Sequence, residues 1–178
     1  VASCIAAMKK AVTIPISVKT RIGLDNDPTP TLLLTLLQAL NTAGCDHIIL
    51  HARNAWLDGL SPKQNRTIPP LNYEVVYAIK KKYPHWHLTL NGGMNTLPTI
   101  EHHLQHIDAV MLGRAAYHQP WLLRQIYQSM YPNQSIINKA LIIERYLDYA
   151  HQPKQRTQKV ALLAAPLINL LHGDYQAK

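Results

Sequence analysis

Consecutive βα units forming a parallel sheet are the architecture this sequence predicts, and three observations carry the prediction. Four short apolar runs end on polar or glycine signatures: Ser17-Val18-Lys19-Thr20-Arg21, Ile48-Ile49-Leu50-His51-Ala52-Arg53, Leu88-Thr89-Leu90-Asn91-Gly92-Gly93 and Val110-Met111-Leu112-Gly113-Arg114. A stretch of helical periodicity follows each run, the alternation that produces parallel sheets. From Gln119 onward the pattern is helical throughout. Chemistry in such folds collects at the carboxyl ends of the strands. Here those ends carry Lys19, His51, Asn91-Gly92-Gly93 and Gly113-Arg114, a set suited to an anionic, phosphate-bearing cofactor.

The elements follow in order. Val1 to Val12 reads as the later part of a helix feeding the first strand, Ile14 to Ile22. The turn residues Asp25-Asn26-Asp27-Pro28 lead to a helix from Thr31 to Thr42, and Gly44 sits where a C-cap glycine belongs. His47 to His51 is the second strand. A connection from Asn54 to Leu71 follows, far longer than the roughly 2–6 residues usual for a βα loop, and its Trp56, Leu57, Leu60, Ile68 and paired prolines give it the composition of a shaped loop. Next come a helix from Tyr73 to Lys82, a strand from His87 to Leu90, a helix from Asn95 to Ile107 and a strand from Ala109 to Leu112. Helices over Trp121 to Met130, Asn138 to Ala150 and Gln158 to Leu171 complete the chain. Alternation in the first strand puts Ser17, Lys19 and Arg21 on one face and Ile16, Val18 and Ile22 on the other. The polar set suits a barrel interior opening into a site, and the apolar set suits packing against outer helices.

The bulk numbers narrow the function. With 178 residues and 47% hydrophobic content the chain builds a core rather than a disordered tail. A net charge of +8 favours a polyanionic partner, nucleic acid first, although a basic surface without a partner has the same composition. Only Cys4 and Cys45 occur, without a pairing pattern, as suits a reducing cytoplasm. No signal peptide or long apolar run appears, so membrane insertion is not expected. The chain begins at Val1 on a helix with no strand before it, which reads as a piece of a longer protein.

Each candidate site residue has a functional and a purely structural reading. Glycines in Asn91-Gly92-Gly93 and Gly113-Arg114 let backbone N–H groups approach a phosphate, and Arg114 adds a guanidinium fork. Two tight βα turns would look the same. Lys19 and His51 lie on inward-facing strand ends, where a lysine can also simply reach solvent and a histidine can be a hydrogen-bonded core residue. Trp56, Lys63, Asn65 and Arg66 on the long loop suit an RNA backbone with splayed bases, or a solvated basic loop anchored by Trp56. His102 and His106 have the i,i+4 spacing of metal ligands, but no recognisable ligand set completes them, and no metal is expected.

Pro15-Ile16-Ser17-Val18-Lys19-Thr20-Arg21-Ile22-Gly23, Ile49-Leu50-His51-Ala52-Arg53, Leu60-Ser61-Pro62-Lys63-Gln64-Asn65-Arg66, Ile68-Pro69-Pro70-Leu71, Asn91-Gly92-Gly93 and Met111-Leu112-Gly113-Arg114 together resemble the tRNA-dihydrouridine synthases, the bacterial A-type subfamily in particular. The loop motif Leu60 to Leu71 is the most diagnostic part. The resemblance is strong to about Pro120 and weaker beyond.

It implies an FMN-binding TIM (β/α)8 barrel, here its C-terminal half (strands five to eight) over residues 1–120, and part of an all-helical tRNA-binding domain over 121–178. It implies reduction of a D-loop uridine of tRNA, with positions 20 and 20a the expected targets and NADPH the reductant. By the same resemblance Lys19 and His51 contact the flavin, Asn91, Gly92, Gly93, Gly113 and Arg114 hold its phosphate side, and Lys63 and Arg66 contact tRNA. No obligate protein partner is implied. One departure stands out: the family's proton-donor cysteine, in a Gly-Cys-Pro context, has no counterpart here. Cys4 lies on the opening helix, and Cys45 lies about 20 Å of extended chain from His51. No catalytic residue is therefore assigned, and the chain alone is expected to be inactive. The alternatives are an FMN barrel reductase of a free pyrimidine, which has no need of a basic loop, and a non-catalytic basic half-barrel that binds RNA.

Overall fold

The computed structural model describes residues 1–25, 31–135, 137–155 and 157–172, so the expected turn at Asn26-Asp27-Pro28 lies outside the described residues. Helix α1 (Ala2–Ala11) precedes strand β1 (Ser17–Leu24), and three further helix–strand pairs follow: α2 (Thr31–Thr42) and β2 (His47–Ala55), α3 (Tyr73–Lys82) and β3 (Leu88–Asn91), α4 (Leu97–Leu104) and β4 (Ala109–Met111). Helices α5 (Arg114–His118), α6 (Trp121–Met130), α7 (Lys139–Ala150) and α8 (Val160–Leu171) close the described chain. The chain divides into two compact units, one of Val1–Met94 with Pro98–Leu112, the other of Asn95–Leu97 with the residues from Gly113 onward.

In the first unit the four strands form one parallel sheet in the order β1-β2-β3-β4. The expected α/β class and parallel sheet are therefore present. Register sorts the side chains into two faces, because paired residues of parallel strands point the same way and successive residues alternate. Val18, Ile48 and Leu88 form one row, and Thr20, Leu50, Leu90 and Val110 the next. Helices cover this face: α2 packs on β1 and α3 on β2. Leu33, Leu37 and Leu40 recur at helical spacing on α2, Val76 and Ile79 on α3, and Ile100 on α4, and all are buried. Each such side chain contributes about 1.5–3 kcal/mol on burial. The opposite face carries Lys19, Ile49, Thr89 and Ala109 in one row and Arg21, His51, Asn91 and Met111 in the next.

Two aspartates repeat one device at the amino-terminal ends of the strands. Asp46, just before β2, accepts from the Ile16 N–H at 2.7 Å and pairs with Lys9 of α1 at 2.9 Å. Asp108, just before β4, accepts from the Leu88 N–H at 2.9 Å and pairs with Lys80 of α3 at 2.7 Å. Each ties a helix and two neighbouring strand starts together. Burial pushes the Asp108 carboxyl up, but the Leu88 N–H and the Lys80 ammonium outweigh it and hold the group below its ordinary value. A lowered carboxylate contributes stability that is complete above the ordinary carboxylate range and is lost as pH falls through the lowered folded-state value. Asp108→Asn keeps an acceptor for Leu88 and loses the ion pair. It should cost about 1 kcal/mol at neutral pH, and urea unfolding should show that difference shrinking in acid.

The expected bounds of three elements are corrected, and one helix is added. β2 runs four residues past His51, because one extra residue between His51 and Asn54 forms a bulge and lets Asn54 and Ala55 pair with Gly23 and Leu24. β1 is likewise shifted toward its carboxyl end. α4 is shorter than Asn95 to Ile107, as its last turn gives way to bonds from Gln105 to His102 and from His106 to His103. α5, five residues long, adds a helix that the periodicity does not predict.

In the second unit, Asn138 caps α7 by accepting from the Leu141 N–H at 2.9 Å. The Lys139 ammonium lies 5.2 Å from the Trp121 ring centroid, and the Arg124 Nε–H donates to the Ile137 carbonyl at 3.1 Å. No helix among the described residues is long and apolar enough to cross a membrane.

Candidate functional site

The carboxyl-terminal half of the polar face carries three predicted residues of the first unit, His51 and Asn91 in the last row and Lys19 in the row before it. β1 presents Lys19 and Arg21, β2 presents His51, and Asn91 ends β3. The His51 Nδ1 lies 2.7 Å from the Asn91 Oδ1, and the Asn91 Nδ2 donates to the Met111 carbonyl at 2.7 Å. Asn91 is buried, at 9% exposure, with both ends of its amide engaged inside the protein. The His51 Nε2 is also buried, and it has no hydrogen-bond partner among the described residues.

Among the described residues, the charges that act on His51 are those of Lys19, Arg21 and Arg53, all positive. Burial lowers its affinity for a proton most; the Asn91 hydrogen bond opposes this, and Lys19, Arg21 and Arg53 lower it further. Burial, then the Arg21 charge, also holds the Lys19 ammonium below its ordinary value. The row is thus a neutral imidazole set among cations, an environment that draws in an anionic or electron-rich ligand.

The Asn-Gly-Gly turn follows directly. Gly92 and Gly93 have φ of 114° and 75°, the left-handed region that favours glycine. A Cβ at Gly92 would lie 2.8 Å from the Leu71 Cδ2 and 3.2 Å from the His51 Cε1. At Gly93 it would meet the Tyr73 hydroxyl, with the Leu71 Cδ1 at 3.0 Å. Tyr73, which sequence reasoning missed, braces the turn by donating from its hydroxyl to the Gly92 carbonyl at 3.0 Å. Burial raises its phenol, against the charge of Arg53, so the donor proton is retained. Backbone conformation and close packing therefore already demand both glycines. Gly113 and Arg114 belong to the second unit, where Gly113 is the N-cap of α5 and Arg114 its exposed first residue.

The long loop is internally built. Ser61 and Gln64 form a capping box around a short 3₁₀ turn: the Ser61 N–H donates to the Gln64 Oε1 at 2.9 Å and the Gln64 N–H returns to the Ser61 Oγ at 3.3 Å. The Ser-Pro-x-Gln pattern was a signal for that turn. Asn65 faces inward. Its amide accepts from the Trp56 N–H at 3.0 Å and donates to the Trp56 carbonyl. The Arg21 guanidinium donates to the Asn54 and Asn65 carbonyls at 2.7 and 2.9 Å, and Arg53 donates to the Thr67 and Pro69 carbonyls. Lys63 and Arg66 are exposed.

The remaining candidates lie elsewhere. Cys4 is exposed on α1. Cys45 sits at the amino-terminal end of the sheet, its thiol toward the Ile16 and His47 carbonyls. The His102 and His106 rings are 5.2 Å apart between centroids, and the described residues contain no group of three or more His, Cys, Asp or Glu placed to hold a metal.

Comparison with known proteins matches this chain to the family model described as dihydrouridine synthase (Dus), over residues 1–177. A tRNA-dihydrouridine(20/20a) synthase of Synechocystis sp. is 42% identical across the whole chain, which covers 54% of that protein. Proteins of the same description from Pasteurella multocida and Shewanella oneidensis are 45% and 40% identical, over 85% and 97% of this chain and 47% and 52% of theirs. The chain spans about half the length of the curated relatives it matches. Matched over nearly all of its length, it belongs to the dihydrouridine synthase family.

Proposed function

We propose that these residues form part of a flavin-dependent enzyme that reduces a D-loop uridine of tRNA, at position 20 or 20a, to dihydrouridine. The observation that carries this reading is the family match over residues 1–177, with relatives named for that activity. On this reading the four strands are strands five to eight of a TIM barrel. Residues 1–120 belong to that barrel, and 121–178 to a helical tRNA-binding domain.

The polar row fits FMN: it offers an unpartnered buried Nε2 and a set of cations. Lys19 and His51 would hold the ring system. Gly92, Gly93, Gly113 and Arg114 would hold the phosphate side, with Asn91 at the root of the turn. When bound and reduced by NADPH, FMN supplies the hydride for the uracil ring. The Lys19 ammonium would favour negative charge on a bound flavin. Lys63 and Arg66 would hold the tRNA backbone while the target base leaves its stack. The uracil carbon beside the reduced one also needs a proton. Neither cysteine is placed at the polar row, so the chain by itself would lack that donor. Its working environment would be the cytoplasm.

The test is to purify the full-length protein and measure bound FMN and dihydrouridine formation on unmodified tRNA with NADPH. Yellow protein and a dihydrouridine product support the reading. Colourless protein that takes up no added FMN overturns the cofactor assignment, and activity on free uracil in place of tRNA overturns the substrate. Arg114→Ala should weaken FMN binding by about 1.5–3 kcal/mol, the range for a charge-assisted hydrogen bond. Fluorescence titration with FMN checks this, and unchanged affinity removes Arg114 from the site.

A further inference from the structure

We propose that Asn91 is a positioning residue that fixes His51 in the Nδ1–H tautomer, so that the imidazole meets its ligand through Nε2 as a hydrogen-bond acceptor. The contacts around Asn91 and His51 fix each proton in turn. The Met111 carbonyl can only accept, so the Asn91 group 2.7 Å from it is the amide nitrogen. The oxygen of that amide then faces the His51 Nδ1, also at 2.7 Å. An amide oxygen only accepts, so Nδ1 carries the proton. In a neutral ring Nε2 is then bare, and it is the buried atom without a partner. Lys19, Arg21 and Arg53 all act against a second proton on the ring.

The consequence concerns the ligand. A bare Nε2 calls for a donor, an O–H or N–H group, and repels the oxygens of a phosphate. Resting on the flavin reading, this places a ribityl hydroxyl or the ring imide N–H at His51 and keeps the phosphate away from it. The Asn91 side-chain amide holds this geometry between His51 and the Met111 carbonyl of β4, with both of its ends engaged inside the protein. The backbone supports this division of labour. Asn91 pairs with His51 and Met111 in the strand register, so the three side-chain and main-chain partners are already side by side in the sheet.

The test is long-range ¹H–¹⁵N correlation spectroscopy of the full-length protein labelled with ¹⁵N-histidine, first without ligand, with His51→Gln used to identify the His51 signals. The expected result is a proton on Nδ1 alone. Asn91→Ala should mix the two tautomers. Asn91→Asp should keep the Nδ1 proton and move the His51 titration to higher pH, since a carboxylate then faces the ring. A proton on Nε2 in the unsubstituted protein overturns the proposal, as does an unchanged tautomer in a folded Asn91→Ala variant. If Asn91→Ala does not fold, the unsubstituted spectrum decides alone. FMN titration separates this from the flavin reading. Failure to bind FMN with the Nδ1 proton in place overturns the flavin assignment and leaves the role of Asn91 supported.

Discussion

Gly93→Val should remove about 2–5 kcal/mol of stability, a large share of the roughly 5–15 kcal/mol that holds a protein of this kind folded. Two independent penalties combine. A φ of 75° costs a side chain about 1–2 kcal/mol. Overpacking against the Tyr73 hydroxyl and the Leu71 Cδ1 costs typically about 1–3 kcal/mol more. The other glycines separate the two contributions. Gly59 has a φ of 78° with nothing within 4 Å of the position a Cβ would take, so Gly59→Ala should show the backbone penalty alone. Gly113 has no such φ and equally open surroundings, so Gly113→Ala should lose only the N-cap preference for glycine over alanine at α5, about 0.5–1 kcal/mol, the smallest effect of the three. Thermal unfolding of the three variants of the full-length protein checks the order. Equal loss at Gly59 and Gly93 would show that packing at the Asn-Gly-Gly turn contributes little.

The same turn shows where sequence reasoning reaches and where it stops. Its existence and its place at a strand end were legible, because glycine pairs after an apolar run signal a tight turn. The helices α2, α3 and α6 fall on their expected bounds, since each has strong periodicity and a clear stop. Partners distant in sequence were not legible. Nothing local says that Tyr73 will brace Gly92, or that the Asn91 amide will be divided between His51 and Met111. Nor does composition distinguish Asn65 from Lys63 and Arg66 in the same loop. The fold turns the Asn65 amide inward against Trp56 and leaves both cations exposed, a difference set by which side chain can satisfy an otherwise unpaired backbone. β2 runs past its expected end for a related reason. Arg53 and Asn54 look like loop residues, yet the bulge lets the strand continue beside Gly23 and Leu24.

That division within the loop yields the second large effect. Replacing both Lys63 and Arg66 with alanine should weaken tRNA binding and reduce its dependence on salt, while FMN binding stays the same. The loop is held from within by the Ser61–Gln64 box, by Asn65 on Trp56 and by Arg21 on the Asn54 and Asn65 carbonyls, none of which needs the Lys63 side chain. The exposed cations are thereby presented on a fixed frame, which lowers the entropy lost on binding. Each phosphate contact releases about 0.9 counterion on a duplex and somewhat fewer on a single strand. Loss of two contacts should therefore flatten the slope of log affinity against log salt by about 1.4–1.8. Filter binding of unmodified tRNA across a salt series, beside FMN titration of the same variant, makes the measurement. A preserved slope with weakened FMN binding would move Lys63 and Arg66 from the RNA to the cofactor. Arg21→Ala supplies the contrast: it removes the brace while leaving both loop cations, so binding should weaken through a looser loop with both contacts still able to form.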